Sequence, residues 1–379
     1  MTACTAPAPS PAVSPTSPPT ERPANPPAAT HSPSPTPTPV PKPNTGVQGQ
    51  FIDPRIGDAS IALAADLGVG WIKQQVEWNL IESAPGECDW DSLDRFVDRA
   101  ESHGFKILLS VAKAPGFSRS EPVEEDGPPL DFAIFRRFTL ALASRYRGRV
   151  DAYELWNEPN LAREWRGHPL SAERFVELIR LGAAGIREGD PAAIVVSGAP
   201  AVTGVHDGVS AIDDRVFLRE MVAAGVAGWV DAIGAHPYGA ANPPGERAAD
   251  ATHRASGYND HPSFFFLDTI EDYRAILLEA GVDKPIWITE FGWPSVDGFG
   301  EVETPGWEYA REVTESDQAG YLRQAIELRR DRPWLGPMFV WNLNVAWLFG
   351  PDRPESAYGL LRPDGTLRPA YQKLRESGE

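Results

Sequence analysis

The chain has 379 residues, 42% of them hydrophobic, which is enough to build a sizeable core. Its formal net charge of -18 argues against nucleic acid and anionic membrane as partners and is compatible with a neutral ligand such as a sugar. The only two cysteines, Cys4 and Cys88, fall in regions of different composition, so no structural disulfide is expected, and no Cys/His spacing suggests a metal site.

Residues 1–45 hold 15 of the 38 prolines, with many Ser, Thr and Ala, and only Glu21, Arg22 and Lys42 are charged there. Such a stretch buries too little apolar surface to offset its ordering entropy, and it reads as a disordered, semi-extended linker. The opening Met1-Thr2-Ala3-Cys4 resembles the end of a bacterial lipoprotein signal peptide, where small residues precede a cysteine that becomes lipidated. On that expectation the sequence starts late, Cys4 carries a lipid anchor, and the protein is secreted or held at the cell surface. No apolar run approaches the roughly 20 residues of a membrane helix.

From residue 46 to 379 the composition is that of one globular domain. A weak strand at 46–52 is followed by a clear one at 70–76. Residues 91–103 have helical periodicity, with Leu93, Phe96, Val97 and Ala100 at i, i+3, i+4 and i+7. Then strands at 106–111, 151–156, 193–197, 231–235, 285–289 and 338–342 alternate with helices at 131–146, 172–187, 215–224, 263–280 and 315–330. The last helix is preceded by Thr314 with Asp317 three positions on, a capping-box start. Such alternation, about eight times over, predicts a parallel sheet, and a closed (β/α)8 TIM barrel suits the count best. A doubly wound open sheet is the alternative, but no glycine-rich phosphate loop follows the first strand. The strand-to-helix connections 112–130, 198–214, 237–262 and 291–313 are long, and the reverse connections are short. Long loops therefore gather at the C-terminal ends of the strands, where barrel active sites are built.

Two segments carry chemistry. In Tyr153-Glu154-Leu155-Trp156-Asn157-Glu158-Pro159-Asn160 an apolar strand ends in a polar cluster, and Pro159 forbids its continuation inside a sheet. Strand alternation sends Glu154 and Glu158 to one side if the strand stays regular. In Ile286-Trp287-Ile288-Thr289-Glu290-Phe291-Gly292-Trp293 a glutamate again ends an apolar run. These are the fourth and seventh strands, whose tips face each other across a barrel mouth. Paired carboxylates there suit glycoside hydrolysis, in which one protonates the departing oxygen and the other attacks or stabilises the sugar carbon. A single strand-end glutamate is more often a surface charge; two of them, each flanked by Trp, favour function.

At these motifs the sequence resembles the clan A glycoside hydrolases, and in detail family 39 with cellulase-like family 5 relatives, over about residues 46–379. The segment from Trp71-Ile72-Lys73 through Trp78, with Glu82 and Pro85-Gly86, is similar to the second-strand region of that group. Tyr358-Gly359-Leu360-Leu361-Arg362-Pro363-Asp364-Gly365 and Pro369-Ala370-Tyr371 are similar to its closing segment. The resemblance implies a retaining glycosidase acting on β-linked oligo- or polysaccharides without a cofactor. It makes Glu158 the acid/base, Glu290 the nucleophile and Asn157 a ligand of the sugar 2-hydroxyl. It further implies that His236 and Tyr238, at the end of the sixth strand, position the nucleophile and line the site, and that Trp341 is the sugar platform; the residues themselves equally allow a satisfied structural histidine at His236 and a lid anchor at Tyr238. Lys73 departs from the arginine that many relatives carry on strand two. It either fills that place as a point charge or is an ordinary surface lysine. Trp78, Trp165, Trp293, Trp347, Glu124, Glu125 and Asp126 are candidates for subsites. Two other readings stand beside this one. A non-catalytic carbohydrate-binding barrel need not keep both glutamates. A metal-dependent barrel hydrolase would want clustered His and Asp at strand ends, whereas the seven histidines are scattered.

Overall fold

Eight strands alternate with eight principal helices in the computed structural model, which describes residues 44–120, 126–251 and 257–377. The strands are β1 (Thr45–Gln48), β2 (Trp71–Glu77), β3 (Lys106–Ala112), β4 (Ala152–Leu155), β5 (Ile194–Ser197), β6 (Ile233–Ala235), β7 (Ile286–Phe291) and β8 (Leu335–Trp341). The helices are α1 (Gly57–Leu67), α2 (Asp91–Ser102), α3 (Phe132–Arg145), α4 (Ala172–Gly189), α5 (Asp214–Ala223), α6 (Phe266–Glu279), α7 (Glu315–Glu327) and α8 (Pro369–Ser377). All strand pairs in the sheet are parallel, in the order β5-β4-β3-β2-β1-β8-β7-β6. The β5–β6 seam closes the barrel through a parallel bridge between Val196 and Ala232, with Asp231 N donating to Val195 O at 2.8 Å and Ser197 N to Ala232 O at 3.1 Å. The expected (β/α)8 barrel is therefore what the chain forms. The proline-rich stretch and Cys4 lie outside the described residues. Among the described residues, no helix is long and apolar enough to cross a membrane.

Local sequence explains most elements. In α2, Leu93, Phe96, Val97 and Ala100 are the buried face, as their spacing predicts. Thr314 and Asp317 complete the capping box that starts α7. Helix α6 begins at Phe266 rather than 263, because Pro262–Phe264 forms a separate 3-10 turn. Three elements carried no clear sequence signal. Helix α1 is built mostly from small residues. A two-stranded hairpin (Glu82–Ala84 with Glu87–Cys88) interrupts the β2-to-α2 connection, and α8 closes the chain.

The barrel interior is layered. One residue from each of six strands, with Ala232 just before β6, forms an apolar floor: Trp71, Leu108, Ala152, Val196, Ala232, Trp287 and Phe339. The Trp71 and Trp287 rings meet edge-on with centroids 5.3 Å apart. Strand β1 contributes Gly46, where a Cβ would come within 2.6 Å of the Phe339 ring; only glycine leaves the floor its aromatics. Two residues further along the strands the lumen turns polar, with Gln48, Lys73, Ser110 and Glu154 all buried. This polar layer supports the mouth.

Candidate active site

Glu158 is set by the break at the end of β4. Trp156 and Glu158 both adopt positive φ, at 77° and 41°, a region that costs non-glycine residues energy and persists where surroundings enforce it. Those surroundings are visible. Glu158 N donates to Ala199 O at 3.1 Å, and the Asn160 side chain clamps the adjoining loop through Ala201 N, Ala201 O and Ile212 O at 2.8–2.9 Å. Trp156 turns outward into the main core. The strand does not stay regular to Glu158, so Glu158 shares a side with Glu154 by virtue of this turn and not of alternation.

Glu290 reaches the lumen by a different device. Ile288 pairs with Met338 but Phe291 pairs with Val340, so β7 carries one extra residue across the 289–290 step. Such a bulge re-phases a strand. Trp287 sits in the floor, and simple alternation would point Glu290 away from the lumen. The bulge brings it in, and its side chain is buried.

The two carboxylates converge on His236. His236 Nδ1 lies 3.2 Å from Glu158 Oε1 and 3.8 Å from Glu290 Oε2, so those oxygens are at most about 7 Å apart. Burial pushes the His236 pKa down, but Glu290 and Glu158 outweigh it and the net direction is up. Burial alone would raise the Glu158 carboxyl; the hydrogen bond and charge of His236, then Arg163, outweigh it and hold it below the usual range. Tyr238 Oη donates to Glu290 Oε2 at 2.9 Å. Burial, and then Glu290, lift the Tyr238 phenol well above its ordinary pKa, so it remains a donor.

Lys73 is not a surface lysine. It is fully buried, with Nζ 2.8 Å from Glu154 Oε2, 3.2 Å from Glu290 Oε1 and 3.2 Å from Thr289 O. Burial favours its neutral form, but Glu154 and Glu290 prevail and raise its pKa. Glu154 was legible only as a same-side neighbour of Glu158; its pairing with Lys73 comes from the barrel's closure.

The rim has two different walls. On one side Trp341 meets Tyr358 and Tyr238 edge-on or tilted, at centroid distances of 5.1 and 5.9 Å, and Tyr358 and Tyr309 hydroxyls are 3.2 Å apart. Trp341 is half-buried, and its peptide bond to Asn342 is cis. On the other side the wall is charged. Lys113, at positive φ after β3, lies 3.5 Å from both Glu77 and Asp126. Arg163 Nη2 is 3.1 Å from Glu158 Oε2, and its Nε is 3.7 Å from Glu164. Burial, then the charges of Glu158 and Asp126, push Glu164 up to about 7. Asn157 is half-buried, and its side chain makes no hydrogen bond with the described residues.

The structure thus gathers Glu158, Glu290, His236, Tyr238 and Lys73 into one contact network at the mouth, with Trp341 joined to it through Tyr238. Asn157 immediately precedes Glu158. Trp78 is a correction. It is fully buried, stacked on Phe138 at 4.9 Å with Nε1 bonded to Glu82, so it packs the core and presents no face to a ligand. Trp165 and Trp293 are likewise core residues. Trp347 is half-buried, Asp126 belongs to the charged wall, and Glu124 and Glu125 lie outside the described residues. Among the described residues no group of three or more His, Cys, Asp or Glu is placed to hold a metal. Arg163 and Tyr358 were not singled out from sequence. Arg163 is an isolated charge five positions after Glu158, a signal too common to carry weight.

The (β/α)8 barrel is a fold shared with solved glycoside hydrolases. A family 39 glycoside hydrolase from Bacteroides cellulosilyticus WH2 matches with TM-score 0.66 at 20% identity, over 88% of this chain and 63% of that one. A family 39 enzyme from Xanthomonas axonopodis pv. citri matches with TM-score 0.61 at 17% identity, over 88% and 65%. A family 10 protein from Paenibacillus barcinonensis matches with TM-score 0.55 at 17% identity, over 88% and 94%. The chain spans a little under two thirds of the length of the two family 39 structures. At these identities the likeness is one of fold. No family model and no curated protein matches the sequence.

Proposed function

We propose that the protein is a retaining β-glycosidase of family 39 type, acting on an oligo- or polysaccharide by double displacement. The observation that carries this reading is the convergence of Glu158 and Glu290, from β4 and β7, on one imidazole nitrogen at the barrel mouth. The bound of about 7 Å between their oxygens admits the roughly 5–5.5 Å spacing of a retaining pair. Glu290, beside the Lys73 ammonium and the Tyr238 hydroxyl, attacks the anomeric carbon. Glu158 protonates the departing oxygen and then deprotonates the incoming water. Asn157 binds the sugar 2-hydroxyl, and Trp341 stacks on the C–H face of the ring. Secretion, with a lipid anchor on Cys4 and the proline-rich stretch as tether, belongs to the same proposal and rests on sequence alone.

The test is hydrolysis of a panel of aryl β-glycosides and β-linked polysaccharides, with Glu290→Gln beside the wild type. Cleavage with retained anomeric configuration, abolished in the variant, is the expected result. Glycan binding by both proteins without cleavage would instead make the chain a carbohydrate-binding barrel.

A further inference from the structure

Glu158 has both carboxylate oxygens engaged. His236 Nδ1 holds Oε1 at 3.2 Å and Arg163 Nη2 holds Oε2 at 3.1 Å. A guanidinium held on Oε2 leaves that oxygen one further lone pair but opposes its protonation. The two partners differ in kind. His236 is fully buried and anchored at the end of β6. Arg163 sits in the 3-10 turn Ala162–Glu164, and its side chain is 70% exposed. The Glu158 side chain is 13% exposed, so the guanidinium is the partner able to swing into solvent. Arg163 also has a second carboxylate, Glu164, 3.7 Å away to receive it.

We propose that Arg163 is a displaceable counter-ion of the acid/base and sets its protonation state in each half-reaction. This rests on the reading of Glu158 as acid/base. In the empty site Arg163 covers Oε2 and Glu158 is ionised. When the leaving-group sugar enters, the guanidinium withdraws toward Glu164, and Glu158 takes a proton from water. In the first step a Glu290 oxygen bonds to the anomeric carbon. The glycosidic C–O bond breaks with its electron pair leaving on oxygen, and that oxygen takes the Glu158 proton. The freed aglycone vacates its place and Arg163 returns, favouring the carboxylate. In the second step Glu158 takes a proton from water, the water oxygen bonds to the anomeric carbon, and the bond to Glu290 breaks. As the product leaves and Arg163 stands at Oε2 again, Glu158 returns to solvent the proton it first took; one water is consumed and the proton count is restored.

The groups facing this pair come from every neighbouring element. They are Glu164 on the same turn, Lys113 and Asp126 after β3, His236 and Tyr238 after β6, Glu290 on β7, and Tyr358 and Glu355 after β8. None but Arg163 is both charged and exposed at Glu158 Oε2, so Arg163→Met is a selective probe.

The experiment compares wild type, Arg163→Met and Arg163→Lys on two glycosides of the sugar that the wild type cleaves best. One is the 2,4-dinitrophenyl glycoside, whose aglycone leaves without protonation; the other is the methyl glycoside, whose aglycone needs the proton. Arg163→Met is expected to move the alkaline limb of kcat/KM for the methyl glycoside up by about one pH unit, since removing an opposite charge favours the protonated acid. For the dinitrophenyl glycoside, whose aglycone needs no proton, the alkaline limb of kcat/KM does not move. The variant lowers kcat for that substrate, where the second step limits, and azide restores it. Arg163→Lys stays near wild type. Coincident alkaline limbs for Arg163→Met and wild type, or equal losses on both substrates, would overturn the proposal. Glu158→Ala is the control. If its loss does not depend on the leaving group, the assignment of Glu158 fails and the proposal falls with it, an outcome distinct from failure in Arg163→Met alone.

Discussion

At the scale of single residues, the two glutamates are distinguished by their neighbours. Glu290 has a buried ammonium and a phenol against it; Glu158 has an imidazole and an exposed guanidinium. Glu158→Ala is expected to slow turnover of unactivated substrates by about 10²–10⁴-fold, the usual worth of a positioned general acid, and to spare activated ones. Initial rates across a leaving-group series check this. Lys73→Met leaves Glu154 buried beside Glu290 with no cation between them. Removing one partner of such a pair costs about 3–5 kcal/mol. Denaturant melts measure this loss, and Lys73→Arg, which keeps the charge, recovers much of it. Both catalytic candidates, Asn157, and the His236–Tyr238 pair were legible because each lies in a short motif at a strand tip. The burial of Lys73 was not, because its partner Glu154 stands 81 positions along the chain and only barrel closure brings them together.

At the scale of elements, the bulge in β7 decides what Glu290 can do, and β4's terminal turn does the same for Glu158. Neither irregularity is visible in a period-2 pattern. The seam between β5 and β6 is another local constraint. Gly234 packs against β5 so closely that a Cβ would lie 2.3 Å from Ser197 O, so Gly234→Ala is expected to cost about 1–3 kcal/mol in a chemical melt. The charged wall makes a prediction in pH. Glu164 has its folded pKa raised to about 7, above its ordinary 4.5, so the folded state binds more protons than the unfolded state between those values. Stability therefore falls as pH rises from about 4.5 to 7. Glu164→Gln flattens that slope and melts above wild type at pH 8, by up to about 3 kcal/mol. Parallel slopes for the two proteins would exclude the assignment. Trp78 shows the limit of reading function from residue type. A tryptophan near a strand end is as often packing as platform, and α3 decides the matter by bringing Phe138 against its ring.

At the scale of the whole molecule, alternating apolar runs and amphipathic stretches determined the (β/α)8 plan, because hydrophobic period is a local property and eight repeats of it leave few topologies. Loop lengths placed the working face, since long strand-to-helix connections have nowhere to go but the C-terminal rim. Composition separated residues 1–45 from the domain. A chain beginning at Asn44 is accordingly expected to keep the melting temperature and turnover of the full chain in a side-by-side scan and assay. Sequence by itself thus determined the barrel, and it marked the rim and the two candidate glutamates through loop lengths and short motifs. Only the tertiary structure decided which charges meet. The Lys73–Glu154 pair, the sharing of His236 between two carboxylates and the two contrasting walls all depend on strand register and closure. Those set distances of a few ångströms between residues far apart in the chain, and electrostatics acts at that range.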